Sequence, residues 1–109
     1  MSSSPAAAMP TLPTTHFLYL IHPPRPTFLA DATPAEMGIM GSHMAYMKTL
    51  LDAGKLLLAG PCLDGAYGVA IFKVSDAAEA ESIAKSDPAA TSGLVRSELH
   101  PISAGLLAT

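Results

Sequence analysis

A chain of 109 residues is long enough for one domain and too short for a cofactor-binding domain beside a separate substrate domain. Half of the residues are hydrophobic, which excludes a disordered chain, and only 14% are charged, which predicts that a second copy covers part of the surface. The net charge of −3 and the lack of a basic run argue against a nucleic-acid partner.

Cysteine usage and hydropathy narrow the class further. The single cysteine, Cys62, excludes an intrachain disulfide and a cysteine-based zinc site. No apolar run approaches the length of a membrane span, and the N-terminus lacks the basic region of an ordinary signal peptide. We therefore expect a cytoplasmic protein with no membrane partner.

The first third of the chain predicts a tail, a strand and a loop. Residues 1–13 are rich in Ser, Pro and Ala and are expected to form a flexible tail. Residues 16–22, HFLYLIH, are apolar at nearly every position and predict a strand covered on both faces. Residues 23–33 contain three prolines within four positions and are expected to form a loop without a helix.

The clearest helix signal begins at Thr33-Pro34-Ala35-Glu36, where a capping threonine precedes a proline suited to the first turn. Gly54 is expected to end this helix. Gly38 and Gly41 would weaken it, and they indicate a close backbone approach, a late start or a bend. Apolar residues recur at helical spacing and predict a core-facing stripe: Met37, Met40, Met44, Met47 and Leu51.

The second half predicts three strands and a helix. The strands are expected at 55–59, stopped by Gly60-Pro61, at 67–74 and at 94–102. The helix is capped by Ser75 or Asp76 and ends before Asp87-Pro88. The order βαββαβ predicts an α+β, ferredoxin-like fold, with one antiparallel sheet and both helices on one of its faces. The other face would be covered by a second subunit.

An ordered set of short motifs resembles the YCII-related family of small bacterial proteins. The motifs are His43-Met44-Ala45-Tyr46-Met47, Asp52-Ala53-Gly54-Lys55-Leu56, Ala59-Gly60-Pro61, Tyr67-Gly68-Val69 and Asp87-Pro88 followed by Gly93-Leu94. The resemblance implies a homodimer that forms a dimeric α+β barrel. It also implies that residues 14–109 form the YCII-related domain.

The resemblance assigns the leading site to His43 and Asp87, a histidine on the first helix that faces an aspartate at the Asp-Pro step. A histidine can take and return a proton near neutral pH, and a carboxylate on its other ring nitrogen would fix its tautomer. Each residue also has a purely structural interpretation. His43 could be a core histidine bonded to a carbonyl, and Asp87 could cap the turn that follows it.

Other candidate residues carry weaker signals. Tyr19 and Tyr46 are predicted to line the pocket and bind substrate, since each could present a hydroxyl there. Arg25 is either a contact for an anionic ligand or a solvated loop side chain. The remaining histidines, His16, His22 and His100, lie on strands without a complete ligand set, so no metal site is expected.

These observations favour one function and leave two alternatives open. The first is a lyase or isomerase without a cofactor, which acts on a small cyclic molecule through His43 and Asp87. This function rests on the resemblance and on relatives of the fold. The second is a module that binds a small molecule, or responds to one, without turnover. The third is a structural dimer that binds no ligand.

Overall fold

The strands and the two longer helices follow the predicted order βαββαβ, and two one-turn helices add to it. The computed structural model describes residues 15–108, so the predicted tail at 1–13 lies outside the described residues. The elements are β1 (His16–His22), α1 (Phe28–Asp31), α2 (Pro34–Asp52), β2 (Leu56–Pro61), β3 (Gly68–Lys73), α3 (Ala77–Lys85), α4 (Pro88–Thr91) and β4 (Arg96–Ile102).

The four strands form one sheet in the order β2-β3-β1-β4, and every neighbouring pair is antiparallel. The central strand β1 pairs with β3 through contacts such as Phe17 with Phe72, and with β4 through contacts such as Tyr19 with Leu99. This order, with two crossover helices, confirms the predicted α+β, ferredoxin-like fold.

One face of the sheet carries the core. Alternate residues of β1 are buried, and they pack with residues of β3, α2 and α3. Members of this core include Phe17, Tyr19, Ile21, Met47, Leu50, Ala70, Phe72, Ala80 and Ile83. The predicted methionine stripe is therefore only partly correct, because Met37, Met44 and Leu51 are exposed. Of the predicted stripe, Met47 is buried, and the other buried residues of α2 are His43 and Leu50.

Helix α2 begins as its sequence predicts. The Thr33 hydroxyl accepts from the Glu36 backbone N–H at 3.2 Å, while the Glu36 carboxylate accepts from the Thr33 N–H at 2.9 Å. The helix runs unbroken through Gly38 and Gly41, so the late start considered above is excluded. A side chain at either glycine would meet nothing within 4 Å in the described chain. The suggested close backbone approach is therefore absent there.

Two sequence predictions about breaks were wrong. The loop at 23–33 contains the one-turn helix α1, which begins after the last of the three prolines and so avoids their constraint. Strand β2 does not stop at Gly60-Pro61 but includes both residues. Proline is tolerated there because β2 lies at the edge of the sheet, where a missing N–H breaks no central ladder.

The remaining boundaries agree closely with the predictions. The strands expected at 67–74 and 94–102 are present and lose one or two residues at their ends. Helix α3 is capped by Asp76, whose carboxylate accepts from the Glu79 N–H at 2.9 Å. Within residues 15–108, no helix is long and apolar enough to cross a membrane.

Candidate active site

Three elements bring the candidate side chains together beneath the sheet face that the helices cover. His43 lies on the buried side of α2, one turn before the core residue Met47. Asp87 precedes Pro88 in an extended conformation and is the N-cap of α4, where its carboxylate accepts from the Ala89 N–H at 3.1 Å. Tyr19 comes from the middle of β1, on the alternation that buries Phe17 and Ile21.

The Asp87 carboxylate is shared by both side chains. His43 Nδ1 lies 2.7 Å from Asp87 Oδ1, and the Tyr19 hydroxyl donates to Asp87 Oδ2, also at 2.7 Å. Asp87 is fully buried, and Tyr19 and His43 are only 1% and 7% exposed. The same carboxylate therefore caps α4 and bonds His43.

Protonation states follow from this arrangement. Burial alone raises the pKa of the Asp87 carboxyl, but hydrogen bonds from His43 and Tyr19 outweigh it, so the pKa lies below its ordinary value. Burial, reinforced by the bond to Asp87, raises the pKa of Tyr19 and keeps its hydroxyl protonated. Because a carboxylate only accepts hydrogen bonds, Nδ1 of His43 carries the hydrogen. A neutral His43 ring then has its lone pair on Nε2.

His43 also lines a cavity. Nε2 has no hydrogen-bond partner among the described residues, and His43 and Tyr19 line a cavity of about 380 Å³ between α2 and the sheet. Pockets that bind small organic molecules in proteins typically begin at about 300 Å³. A small organic molecule therefore fits beside His43.

The outer wall of the cavity comes from the segment around α1. Phe28 is buried and, with Leu29, lines the cavity from this helix. Arg25 fixes the segment, because its guanidinium donates to Asp31 Oδ1 and Glu36 Oε1, both at 2.8 Å. The hydrogen bond from Arg25 lowers the pKa of Glu36 to about 2. Arg25 is therefore an internal ion-pair partner, and neither of its two sequence interpretations describes its main role.

The other predicted site residues are placed differently. The Tyr46 hydroxyl donates to the Ile83 carbonyl at 2.9 Å, which ties α2 to α3, and Tyr46 is not among the residues that line the cavity. On β1 and β4, His22 and His100 both contact Glu98, away from His43. Across residues 15–108 there is no group of three or more His, Cys, Asp or Glu side chains that could hold a metal ion.

Sequence reasoning missed the wall residues Phe28 and Leu29 because the prolines before them argued against a helix. A usable signal was present. After the last proline, Thr27-Phe28-Leu29-Ala30-Asp31 places two large apolar residues in a short segment that would otherwise expose both.

The family comparison decides how this arrangement is classified. The sequence profile of the YCII-related domain matches residues 17–99. The chain belongs to the YCII-related family. The match includes Tyr19, His43 and Asp87, so the contacts described above lie inside the family domain.

Structural comparison supports the same fold. The solved structure of 5-chloro-2-hydroxyhydroquinone dehydrochlorinase (TftG) from Burkholderia phenoliruptrix AC1100, in complex with 2,5-dihydroxybenzoquinone, superposes on this YCII-related chain with a TM-score of 0.60. The two are 20% identical, and the alignment covers 82% of this chain and 95% of the other. Among curated proteins, no sequence matches this chain.

Proposed function

We propose that this YCII-related protein is a lyase or isomerase that acts on a small cyclic molecule in the cavity. His43 moves a proton, and Asp87 orients His43 and stabilises its charged form. One observation carries the proposal. Asp87 Oδ1 holds Nδ1 at 2.7 Å, and Nε2, without a partner among the described residues, is left for the cavity.

In the lyase reaction, His43 Nε2 takes a proton from a carbon beside a carbonyl group. The C–H bonding pair forms a C=C bond, and a leaving group on the next carbon departs with its own bonding pair. The net loss is one molecule of acid, and His43 then releases its proton. The TftG neighbour is named as a dehydrochlorinase of a chlorinated hydroxyhydroquinone, and dehydrochlorination is likewise the net loss of one molecule of acid, HCl.

In the isomerase reaction, His43 returns the proton to a different carbon of the conjugated system, and nothing leaves. Asp87 has the same task in both reactions. The Nδ1–H bond to the carboxylate remains in place while Nε2 gains and loses its proton, which lowers the free energy of the imidazolium that forms.

Binding without turnover is the second candidate. A cavity of about 380 Å³ with a mostly apolar wall is sufficient to bind a small molecule whether or not a proton moves. Evidence for chemistry therefore has to come from a measurement that detects bond breaking.

Solvent exchange is such a measurement. Cyclic lactones, cyclic ketones and their α- and β-halogenated derivatives would be incubated with the protein in D₂O and followed by NMR for deuterium incorporation and halide release. We expect at least one compound to react faster with the protein than in buffer. His43→Gln is expected to lower this rate by about 10²–10⁴-fold, the usual contribution of a general base.

The matched control is Lys48→Gln, a change to the same residue at an exposed position of α2 that does not line the cavity. It should react like the parent. Equal rates in His43→Gln and the parent would refute the role of His43. If the parent binds compounds but exchanges and eliminates none of them, the binding function is the correct one.

We also propose that the protein is a homodimer. Leu18 and Leu20 alternate with the buried residues of β1, so they lie on the sheet face opposite the helices, beside Ile71 and Val69 of β3. Leu58 of β2 pairs with Ile71 on the same face and is 52% exposed. A second copy would bury this apolar face.

Sedimentation equilibrium tests the dimer. Leu58→Asp should shift the protein from dimer to monomer, because a charge would be buried in the interface. Leu63→Asp introduces the same charge at a loop leucine that is 92% exposed and should leave the dimer intact. A monomeric parent, or a Leu58→Asp dimer as stable as the parent, would contradict this proposal.

A further inference from the structure

The wall of the cavity offers a ligand very few polar contacts. Of the fourteen residues between 15 and 108 that line it, only Tyr19 and His43 have polar side chains. The others supply hydrocarbon, thioether or glycine surface, with three methionines, Met37, Met40 and Met44, along α2. Thioether side chains are soft and adapt to apolar ligands of irregular shape.

The polar groups at the cavity are largely occupied already. The Tyr19 hydroxyl donates to Asp87, and Asp87 is fully buried with its two oxygens accepting three hydrogen bonds. The backbone of the inner strands along the cavity is paired within the sheet, for example at Gly68 with Ile21, while Gly60 and Pro61 line the cavity from the edge strand β2. His43 Nε2 and the acceptor lone pair of the Tyr19 hydroxyl oxygen are therefore the polar side-chain groups that remain for a ligand.

The cavity wall also lacks a cation. No Lys or Arg is among the lining residues that the structure describes. Arg25, on the segment that forms the outer wall, is held by Asp31 and Glu36. A carboxylate bound in the cavity would lose its hydration without gaining a positive partner, and each additional hydroxyl would be left without a hydrogen bond.

The mouth of the cavity is apolar as well. Leu29, Met37 and Met44 line the cavity and are 54%, 62% and 49% exposed. Large apolar side chains in water are usually explained by something that covers them. Here they give an apolar molecule a continuous surface from solvent to His43.

We infer that the substrate class is neutral and mostly apolar. It is a ring-sized molecule with one acidic proton, either O–H or a C–H beside a carbonyl, that is presented to His43 Nε2. This inference rests on the proposed function and narrows it. It separates the protein from its structural neighbour, because 2,5-dihydroxybenzoquinone carries four oxygens, whereas this cavity offers two free polar side-chain groups, His43 Nε2 and the Tyr19 hydroxyl oxygen.

Methionine-methyl NMR tests the inference by binding alone. Protein labelled with ¹³C at its methionine methyls would be titrated with 4-chlorophenol, 4-hydroxybenzoate and 1,3,5-trihydroxybenzene. We expect 4-chlorophenol to shift the signals of Met37, Met40 and Met44, while Met47, buried in the core outside the cavity, serves as the internal reference. Its Kd should be at least about tenfold lower than those of the other two probes.

A charge placed at the mouth provides a matched pair of variants. Met37→Arg adds a cation at an exposed lining residue, and it should strengthen binding of 4-hydroxybenzoate relative to 4-chlorophenol. Leu51→Arg makes a similar change at an exposed residue of the same helix that does not line the cavity, and it should alter neither Kd.

Several outcomes would overturn the inference. These are equal or tighter binding of either polar probe by the parent, the absence of any methyl shift with 4-chlorophenol, or the same selectivity in the parent and Met37→Arg. Failure of the proposed function would look different. If the protein binds 4-chlorophenol as expected but catalyses no proton exchange, the inferred ligand class stands and the proposed catalysis is refuted. Turnover of an anionic or polyhydroxylated cyclic compound would support the proposed catalysis and refute the inferred ligand class.

Discussion

Asp87→Asn is expected to lower kcat for the proposed proton transfer by about 10²–10⁴-fold while the chain stays folded. The substitution preserves the size of the side chain but removes the negative charge beside Nδ1. An asparagine amide can donate to Nδ1 as well as accept from it, so the ring is no longer held with its hydrogen on Nδ1. In the donating arrangement, Nε2 carries the hydrogen and cannot accept a proton from a substrate.

The tautomer itself provides a readout that a loss of stability would not produce. In ¹⁵N NMR spectra, neutral His43 should be protonated at Nδ1 in the parent and should show a mixture or the Nε2-protonated form in Asp87→Asn. Asp52→Asn is the matched control, because Asp52 is an exposed carboxylate at the end of α2 that pairs with Lys48. A variant with the parent's kcat and tautomer would show that Asp87 does not orient His43.

Much of the fold could be predicted because its signals are local. Thr33, Pro34 and Glu36 lie within one turn and set the start of α2 without help from the rest of the chain. The apolar run HFLYLIH likewise marked β1 as a strand from seven residues, whereas the alternation of its buried and partly exposed positions became visible only in the structure. Where local signals failed, the global position of the element was decisive. A proline would interrupt a central strand, but Pro61 is accepted in β2 because β2 is an edge strand. Only the strand order shows this position.

The candidate site was less accessible from sequence. His43 and Asp87 are 44 residues apart, and no spacing rule joins them, so their pairing was expected only from the family resemblance. The bond from Tyr19 to Asp87 spans 68 residues and depends on how β1 lies against α4. The sequence placed Tyr19 in the pocket, but it could not show that its hydroxyl would support the carboxylate. Tyr46 met the same sequence criterion, and its hydroxyl bonds the backbone of α3.

Removing the carboxylate altogether should have a large effect on stability. Asp87→Ala leaves the Nδ1–H of His43, the Tyr19 hydroxyl and the Ala89 N–H without their acceptor, all in a buried position. Loss of one partner from a buried, hydrogen-bonded charge costs about 3–5 kcal/mol, a large share of the 5–15 kcal/mol that usually separates folded from unfolded states. Urea denaturation would measure this loss.

A second N-cap residue, Asp76, shows how much of the stability loss in Asp87→Ala comes from helix capping alone. Asp76 caps α3 through the Glu79 N–H, and it is exposed. Asp76→Ala should therefore cost only about 1 kcal/mol, the ordinary value of an N-cap. If Asp87→Ala costs no more than Asp76→Ala, the bonds to His43 and Tyr19 contribute little to the folded state, and the site is not the rigid arrangement that the proposed catalysis needs.

The decrease of stability at acid pH gives an independent test of whether Asp87 is ionised in the folded protein. Because the folded state lowers the pKa of Asp87, its contribution is complete above the unfolded carboxyl pKa of about 3.9 and disappears as the pH falls through the lower folded value. As the pH is lowered below about 4, the free energy of unfolding of the parent should therefore decrease. Other carboxylates with lowered pKa, such as the partly buried Glu36, contribute to the same fall in the parent and in Asp87→Asn. The difference between these two proteins isolates Asp87, and it should shrink as the pH is lowered. A difference that stays constant from neutral pH to pH 3 would mean that Asp87 is not ionised in the folded protein, and the tautomer argument would fail with it.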